Sequence, residues 1–299
     1  MVNRDLRRRD LRTNSSDEKD AKRVYIILFA ILGVIAVFCI WKLYVIYFVQ
    51  YGASAAAYRE VREAALEEEG LRAAALMRED PPETPEELDV QGAVVTGGSS
   101  GPPSVDFSVL LELDQNVVGW LSVPAIDLEY PVMQYKDDVA YKAEHGEEYY
   151  LNRTLGGEPM YAGSIFMDSQ SLASLEDPST VIFGHNIKNG MMFGRLKELK
   201  EQKKVDTDPC FWIVRKDGIA FRYRIFSVHE TDPASDTYTL FRYTGNNFKK
   251  WAENEAERSI IKTEVELTSA SKIVVLSTCT DDSTHRLVVL GVLEETVRP

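Results

Sequence analysis

The sequence predicts a mainly β domain of barrel or sandwich type behind a single N-terminal membrane helix. Three observations lead there. Beyond residue 105, about eight segments are enriched in β-branched and aromatic residues, with few helical patterns between them. The run "VYIILFAILGVIAVFCIW", residues 24–41, is long enough to span a bilayer. Between these two regions lies Ala/Glu-rich and then Pro/Gly/Ser-rich sequence that suits neither a core nor a membrane.

The first 23 residues are basic on balance, with Arg7, Arg8, Arg9, Arg12, Lys22 and Arg23 ahead of the apolar run. Such a bias keeps the N-terminus cytoplasmic and places the downstream chain outside. "ASA" at residues 53–55 resembles a cleavage site, but signal h-regions run to about 15 residues at most and this one is longer. An uncleaved anchor over residues 24–49 is therefore expected. Residues 54–80, rich in Ala, Glu, Leu and Arg, read as helix. Gly70 interrupts them and their apolar stripe is ragged, so a solvated stalk is expected rather than a helix with a partner. "PPETPEE" and "TGGSSGPPS" then read as a flexible linker, so that residues 50–104 connect the anchor to a domain at 105–299.

In that domain "SVLLELDQNVVGWLSV" suggests a short helix running into a strand. Strands are expected over residues 117–123, 128–133, 164–168, 180–184, 210–215, 220–229, 272–278 and 286–293. Between the sixth and seventh, residues 246–261 place Phe248, Trp251 and Ala252 on one face, as an amphipathic helix does.

The formal charge of -13 concentrates beyond residue 50 and repels nucleic acid. Three cysteines build no disulfide framework, and Cys39 lies in the apolar run. Cys210 and Cys279 remain, both expected reduced, with Cys210 a packing residue. Cys279 ends one strand and Arg286 opens the next. If the two strands are antiparallel neighbours, both residues sit at one sheet end, where a guanidinium favours thiolate or a developing oxyanion. The plainer alternatives are a core cysteine and an arginine paired with Asp281 or Asp282. Of four histidines, His185 in "TVIFGHNIKNGMMFGRL" follows an apolar strand and precedes a Gly/Asn loop, as a side chain facing a cleft does. His145 lies in the acidic "AEHGEE" and His229 ends a strand. His285, next to Arg286, points to the opposite strand face from it.

"VLSTC" (residues 275–279) resembles the threonine-leucine-any-threonine-cysteine signature of sortases, with Val275 in place of the first threonine. The arginine opening the next strand fits the same pattern. "GHN" followed by "GMMFGRL", "NVVGWLSVPAIDLEYPVMQ" and "GSIFMD" are similar to segments of class B sortases, and the helix before the last two strands is a class B feature. The resemblance covers residues 105–297. It implies an eight-stranded barrel with appended helices, with Cys279, His185 and Arg286 catalytic. Ser277, Thr278 and Asn186 are the substrate-binding residues expected beside them. The implied reaction is acyl transfer from the C-terminal sorting signal of a secreted protein, through a Cys279 thioester, to an amine of a cell-wall precursor or a pilin lysine. No cofactor and no metal are expected. Two departures stand out: Phe183 replaces a tyrosine common in class B, and the acidic "TDDSTH" is expected to compete for Arg286. The rival Cys/His enzymes fit less well. An L,D-transpeptidase wants "HGC", and a papain-like hydrolase wants its cysteine early and at a helix start. A non-enzymatic wall-binding module predicts an unreactive Cys279.

Overall fold

The computed structural model describes residues 2–45, 51–76 and 101–299, and most of the expected linker lies outside them. The chain divides into two compact units, residues 1–53 and 54–299. Helix α1 (Val2–Tyr44) makes up most of the first unit. Its stretch Lys22–Tyr44, 23 residues and about 35 Å of helix, is long and apolar enough to cross a membrane. Ile26, Phe29, Leu32 and Ile35 are all exposed on it, an apolar surface that water does not favour.

The second unit begins within helix α2 (Tyr51–Leu76). Here the structure departs from the solvated stalk. Tyr58 and Ala65 are buried, and Arg62 pairs with Asp127 and Glu129 at 3.0 and 2.8 Å. Spacing of seven residues puts Tyr58 and Ala65 on one helix face, two turns apart. That narrow stripe suffices because polar side chains complete the contact. Helix α3 (Phe107–Leu113) follows; Asp106 caps it by accepting from the Ser108 N–H at 2.8 Å. Phe107 and Leu110 go into the core.

Eight strands close a barrel in the order β1-β2-β3-β4-β7-β8-β6-β5. They are β1 (Val117–Val123), β2 (Leu128–Met133), β3 (Ile165–Met167), β4 (Ser179–Phe183), β5 (Cys210–Arg215), β6 (Ala220–Thr231), β7 (Ile273–Cys279) and β8 (Arg286–Val297). All eight expected strands are present. β6 and β8 run longer than expected, because their ends carry charged residues that the β-branched signal does not register. Among the short helices not anticipated are α4 (Asp138–His145), a 3₁₀ segment (Phe193–Lys200) and α5 (Gln202–Thr207). The amphipathic helix is α6 (Asn246–Glu257) and ends four residues early.

Two pairings are parallel, β2 with β3 and β4 with β7. Parallel strands need long crossovers, and the β4–β7 crossover contains β5, β6 and α6. Strand alternation separates two faces on β7. Val274, Leu276 and Thr278 face one way and are buried. Ile273, Val275, Ser277 and Cys279 face the other. There Val181, Ile273, Val275, Val288, Leu290 and Val292 pack against Phe248, Trp251 and Ala252 of α6. Helix α6 thus covers the lower part of this face. Its upper end, bearing Cys279, is left open.

Candidate active site

β7 and β8 are antiparallel, with Cys279 directly opposite Arg286. Directly opposed residues project from the same face with Cβ atoms about 5 Å apart, so thiol and guanidinium share one end of the open face. Both are partly exposed. The loop between them is closed by Thr280, whose N–H donates to the His285 carbonyl at 3.0 Å.

The expected competition for Arg286 is absent. Asp281 accepts from the Asn186 amide at 2.9 Å and pairs with Lys197 at 3.4 Å. The Asn186 bond and Lys197 hold its carboxyl below the usual range. Asp282 turns back on its own loop, accepting from the Thr280 hydroxyl and the Thr284 N–H, and is held down to about 2. Arg286 donates from Nη1 to the His285 carbonyl at 3.3 Å, a weak tether for five N–H donors.

His185 follows β4 by two residues. β4 and β7 are parallel in the register Phe183 with Ser277, and the Gly184 N–H donates to the Ser277 carbonyl at 3.2 Å. His185 therefore leaves the sheet at the level of Cys279. Its Nε2 lies 2.7 Å from the Leu151 carbonyl. A carbonyl only accepts, so Nε2 carries the proton and Nδ1 is the nitrogen left to exchange one. Burial pushes His185 below the usual histidine range, opposed by the Leu151 bond and the Glu147 carboxylate. At neutral pH the ring is thus poised as a base. Tyr161 stacks parallel to it, with ring centroids 6.0 Å apart. Behind it, the Phe193 N–H donates to the His185 carbonyl at 3.0 Å. Met192, at φ 51° and fully buried, donates its N–H to the Tyr130 hydroxyl at 3.0 Å. A non-glycine residue held at positive φ beside a working side chain marks a loop fixed by its surroundings.

The expected substrate residues divide. Ser277 is on the Cys279 face, and its hydroxyl is 2.8 Å from the Tyr238 hydroxyl. Thr278 alternates to the opposite face and is buried, so its hydroxyl cannot meet a substrate at Cys279, contrary to expectation. Asn186 lines a cavity of about 300 Å³ beside Cys279, together with Lys197, Lys200, Glu230 and Asp281. Its amide nitrogen is engaged by Asp281, which ties the histidine loop to the cysteine loop.

Tyr238 was not anticipated. It sits on a short 3₁₀ turn (Asp236–Tyr238) and stacks on Phe183 at 6.1 Å. Burial raises its hydroxyl above the usual tyrosine range, and the Ser277 bond opposes that shift. The hydroxyl missing at Phe183 thus has a counterpart on the same face, from a distant loop. Nothing local in "SDTYTLF" marks it. The other histidines lie elsewhere: His145 stacks on Tyr141, His229 is buried against Glu255, and the exposed His285 bonds Thr284.

A family model of the sortase domain matches residues 121–294. Sortase B of Listeria monocytogenes is 30% identical over 191 residues, covering 62% of this chain and 72% of its own. Among solved structures, sortase B from B. anthracis in complex with AAEK1 superposes with a TM-score of 0.54 at 30% identity, over 63% of this chain and 84% of that one. A Staphylococcus aureus sortase B–substrate complex gives a TM-score of 0.55 at 25% identity, over 63% and 84%. The barrel, the opposed Cys279 and Arg286, and these likenesses agree: the chain belongs to the sortase family, class B, and is a sortase-type cysteine transpeptidase.

Proposed function

We propose that this protein is a membrane-anchored transpeptidase that attaches secreted proteins to the cell wall. Residues 24–49 anchor it with the N-terminus cytoplasmic and residues 105–299 outside. The opposition of Cys279 and Arg286 on the open face carries the reading. Cys279 attacks a peptide carbonyl within a C-terminal sorting signal, and His185 takes the thiol proton on Nδ1. Arg286 donates to the tetrahedral oxyanion. Collapse expels the C-terminal fragment as an amine protonated by His185, leaving a thioester on Cys279. An acceptor amine then opens it, with His185 again as base. A wall-precursor amine is the proposed acceptor.

The test incubates the detergent-solubilised full chain with a library of sorting-signal peptides and seeks the Cys279 thioester by mass spectrometry. Added wall-precursor amine should discharge it faster than water, and faster than a lysine peptide of pilin type. Absence of any thioester on Cys279 across the library would refute the reaction. Faster discharge by the lysine peptide would replace wall anchoring with pilus assembly. Protease added to cells with permeable walls should remove epitopes beyond residue 80 and spare the first twenty residues.

A further inference from the structure

Helix α2 brings the buried Tyr58 hydroxyl to the barrel. It donates to the Gly163 carbonyl at 2.8 Å and lies 2.9 Å from the Ser164 hydroxyl. Ser164 donates in turn to the Arg153 carbonyl at 2.8 Å, and its N–H donates to the Tyr150 carbonyl at 3.0 Å. The phenol therefore holds the Gly163–Ser164 limb of the loop over residues 150–164, and Ser164 ties that limb to the other at Tyr150 and Arg153. Within that loop, Gly163 has φ +58° and lies so close to Leu151 that an added Cβ would stand 2.2 Å from the Leu151 carbonyl oxygen. That oxygen is the one that accepts from His185 Nε2. A second route starts at the same ring. Tyr58 packs edge-on against Tyr130 at 5.6 Å, and Tyr130 holds the Met192 N–H on the other side of the histidine loop.

We propose that Tyr58 is a positioning residue for His185: from the helix that precedes the barrel, its hydroxyl fixes the loop whose Leu151 carbonyl orients the imidazole. The proposal rests on the catalytic role of His185 argued above. It also makes α2 a working part of the enzyme, so the catalytic unit starts at or before Tyr58. The physical case is the absence of slack. The chain of contacts runs phenol, Gly163 carbonyl, Gly163 backbone, Leu151 carbonyl, imidazole, and it contains one hydrogen bond at each end and a close backbone contact between. Removing the phenol oxygen leaves the Gly163 carbonyl without that donor and takes away the polar neighbour 2.9 Å from the Ser164 hydroxyl. The Leu151 carbonyl then gains room to turn away from Nε2.

The test uses the full chain in detergent micelles, with ¹³C-labelled histidine and His185 identified by its loss in His185→Gln. Imidazole signals are titrated in wild type, Tyr58→Phe, Ser164→Ala and Arg62→Gln. The Leu151 bond favours the charged ring, while burial opposes it and the Glu147 carboxylate supports it. Losing a hydrogen bond to a charged group moves the His185 midpoint down by about one unit in Tyr58→Phe. Ser164→Ala moves it the same way and by less, and carries the test alone if Tyr58→Phe does not fold. Arg62→Gln, which loosens the same helix at Asp127 and Glu129, leaves the midpoint unmoved. With a sorting-signal peptide, thioester formation by Tyr58→Phe slows by about tenfold, inside the roughly hundredfold cost of a 1 Å misplacement. Titrations of Tyr58→Phe and Ser164→Ala that coincide with wild type would overturn the positioning role. An equal shift in Arg62→Gln would overturn it too, by showing loosened docking to be enough. Full thioester formation by His185→Gln is a separate failure: it would remove the catalytic reading while the imidazole titrations still report on Tyr58.

Discussion

Cys279 and Arg286 are directly opposed partners at the open end of the last two strands, and neither nearby aspartate holds the arginine. That relationship separates an oxyanion donor from a surface ion pair. An arginine paired with Asp281 or Asp282 would be worth about 1 kcal/mol at most. A guanidinium with donors to spare beside the nucleophile is worth about 3–4 kcal/mol when it meets an oxyanion, or two to three decades in rate. Arg286→Lys is expected to be nearly as damaging as Arg286→Ala, because an ammonium cannot present two aligned donors. Thioester formation rates for both variants, with circular dichroism to confirm folding, check this. A lysine variant within about threefold of wild type would show that charge alone suffices.

The two cysteines of the barrel should differ in reactivity. Cys210 is 1% exposed, and burial pushes its thiol up to about 11. At pH 8 only about one part in a thousand of such a thiol is thiolate. Cys279 is partly exposed at a strand end. In a Cys39→Ala background, iodoacetamide should modify Cys279 in the folded protein and reach Cys210 only after denaturation. Cys210→Ala should keep most of the activity and Cys279→Ala none. Equal losses from the two substitutions would reverse the assignment.

The β-branched runs located every strand, because a barrel strand buried on both faces must be apolar almost throughout. Position at the ends of such runs leaves a core cysteine and a surface arginine as the plainer readings. It is the resemblance of "VLSTC" and "GHN" to sortase segments that singles out Cys279, His185 and Arg286. What sequence could not show was contact at long range. Tyr58 meets Gly163 across 105 residues, and Tyr238 meets Ser277 across 39. Neither has a local pattern, since a tyrosine on a ragged helix or in a polar loop looks the same with or without a partner. Thr278 failed for a local reason. Adjacency to the nucleophile suggested a substrate contact, but alternation along β7 turns the side chain the other way.

Acid should destabilise this domain through His185. Burial lowers its pKa in the folded state, while the unfolded chain titrates near the ordinary 6.5. Below that value the unfolded state binds more protons than the folded one, so stability rises with pH across this window and falls as pH drops. Asp281 and Asp282 are depressed and lose their contribution only in stronger acid. Asp138 and Asp208, raised by burial, act in the opposite direction, but only nearer the carboxylate range. Between pH 7 and about 5 the melting temperature of wild type should therefore fall more steeply than that of His185→Gln. Parallel curves would show that the imidazole is not desolvated as described.

Glu255 should be the most costly charged side chain to remove from α6. It is fully buried, and its Oε1 accepts from Arg258 at 2.6 Å. Its Oε2 accepts from the Thr237 hydroxyl at 3.0 Å and lies 3.1 Å from His229 Nε2, off the hydrogen-bonding line. Ser227 donates to the Glu255 carbonyl at 2.6 Å, so the same residue fastens α6 to β6 through its backbone. Deleting one member of a buried charged cluster costs about 3–5 kcal/mol, because the partners stay behind desolvated. Glu255→Ala belongs at the low end, about 3 kcal/mol, since Arg258 is 40% exposed and keeps Asp236 as a second partner. The site should register the change as well. Thr237 adjoins Tyr238, and the Trp251 indole of α6 donates to the Asp236 carbonyl at 3.0 Å, so helix and turn hold the phenol over Ser277 together. Urea unfolding of Glu255→Ala should give the full loss, and iodoacetamide should reach Cys279 at an altered rate below the unfolding transition. A loss under about 1 kcal/mol would mean that water or a neighbouring group replaces the carboxylate, and that α6 covers the sheet by apolar packing alone.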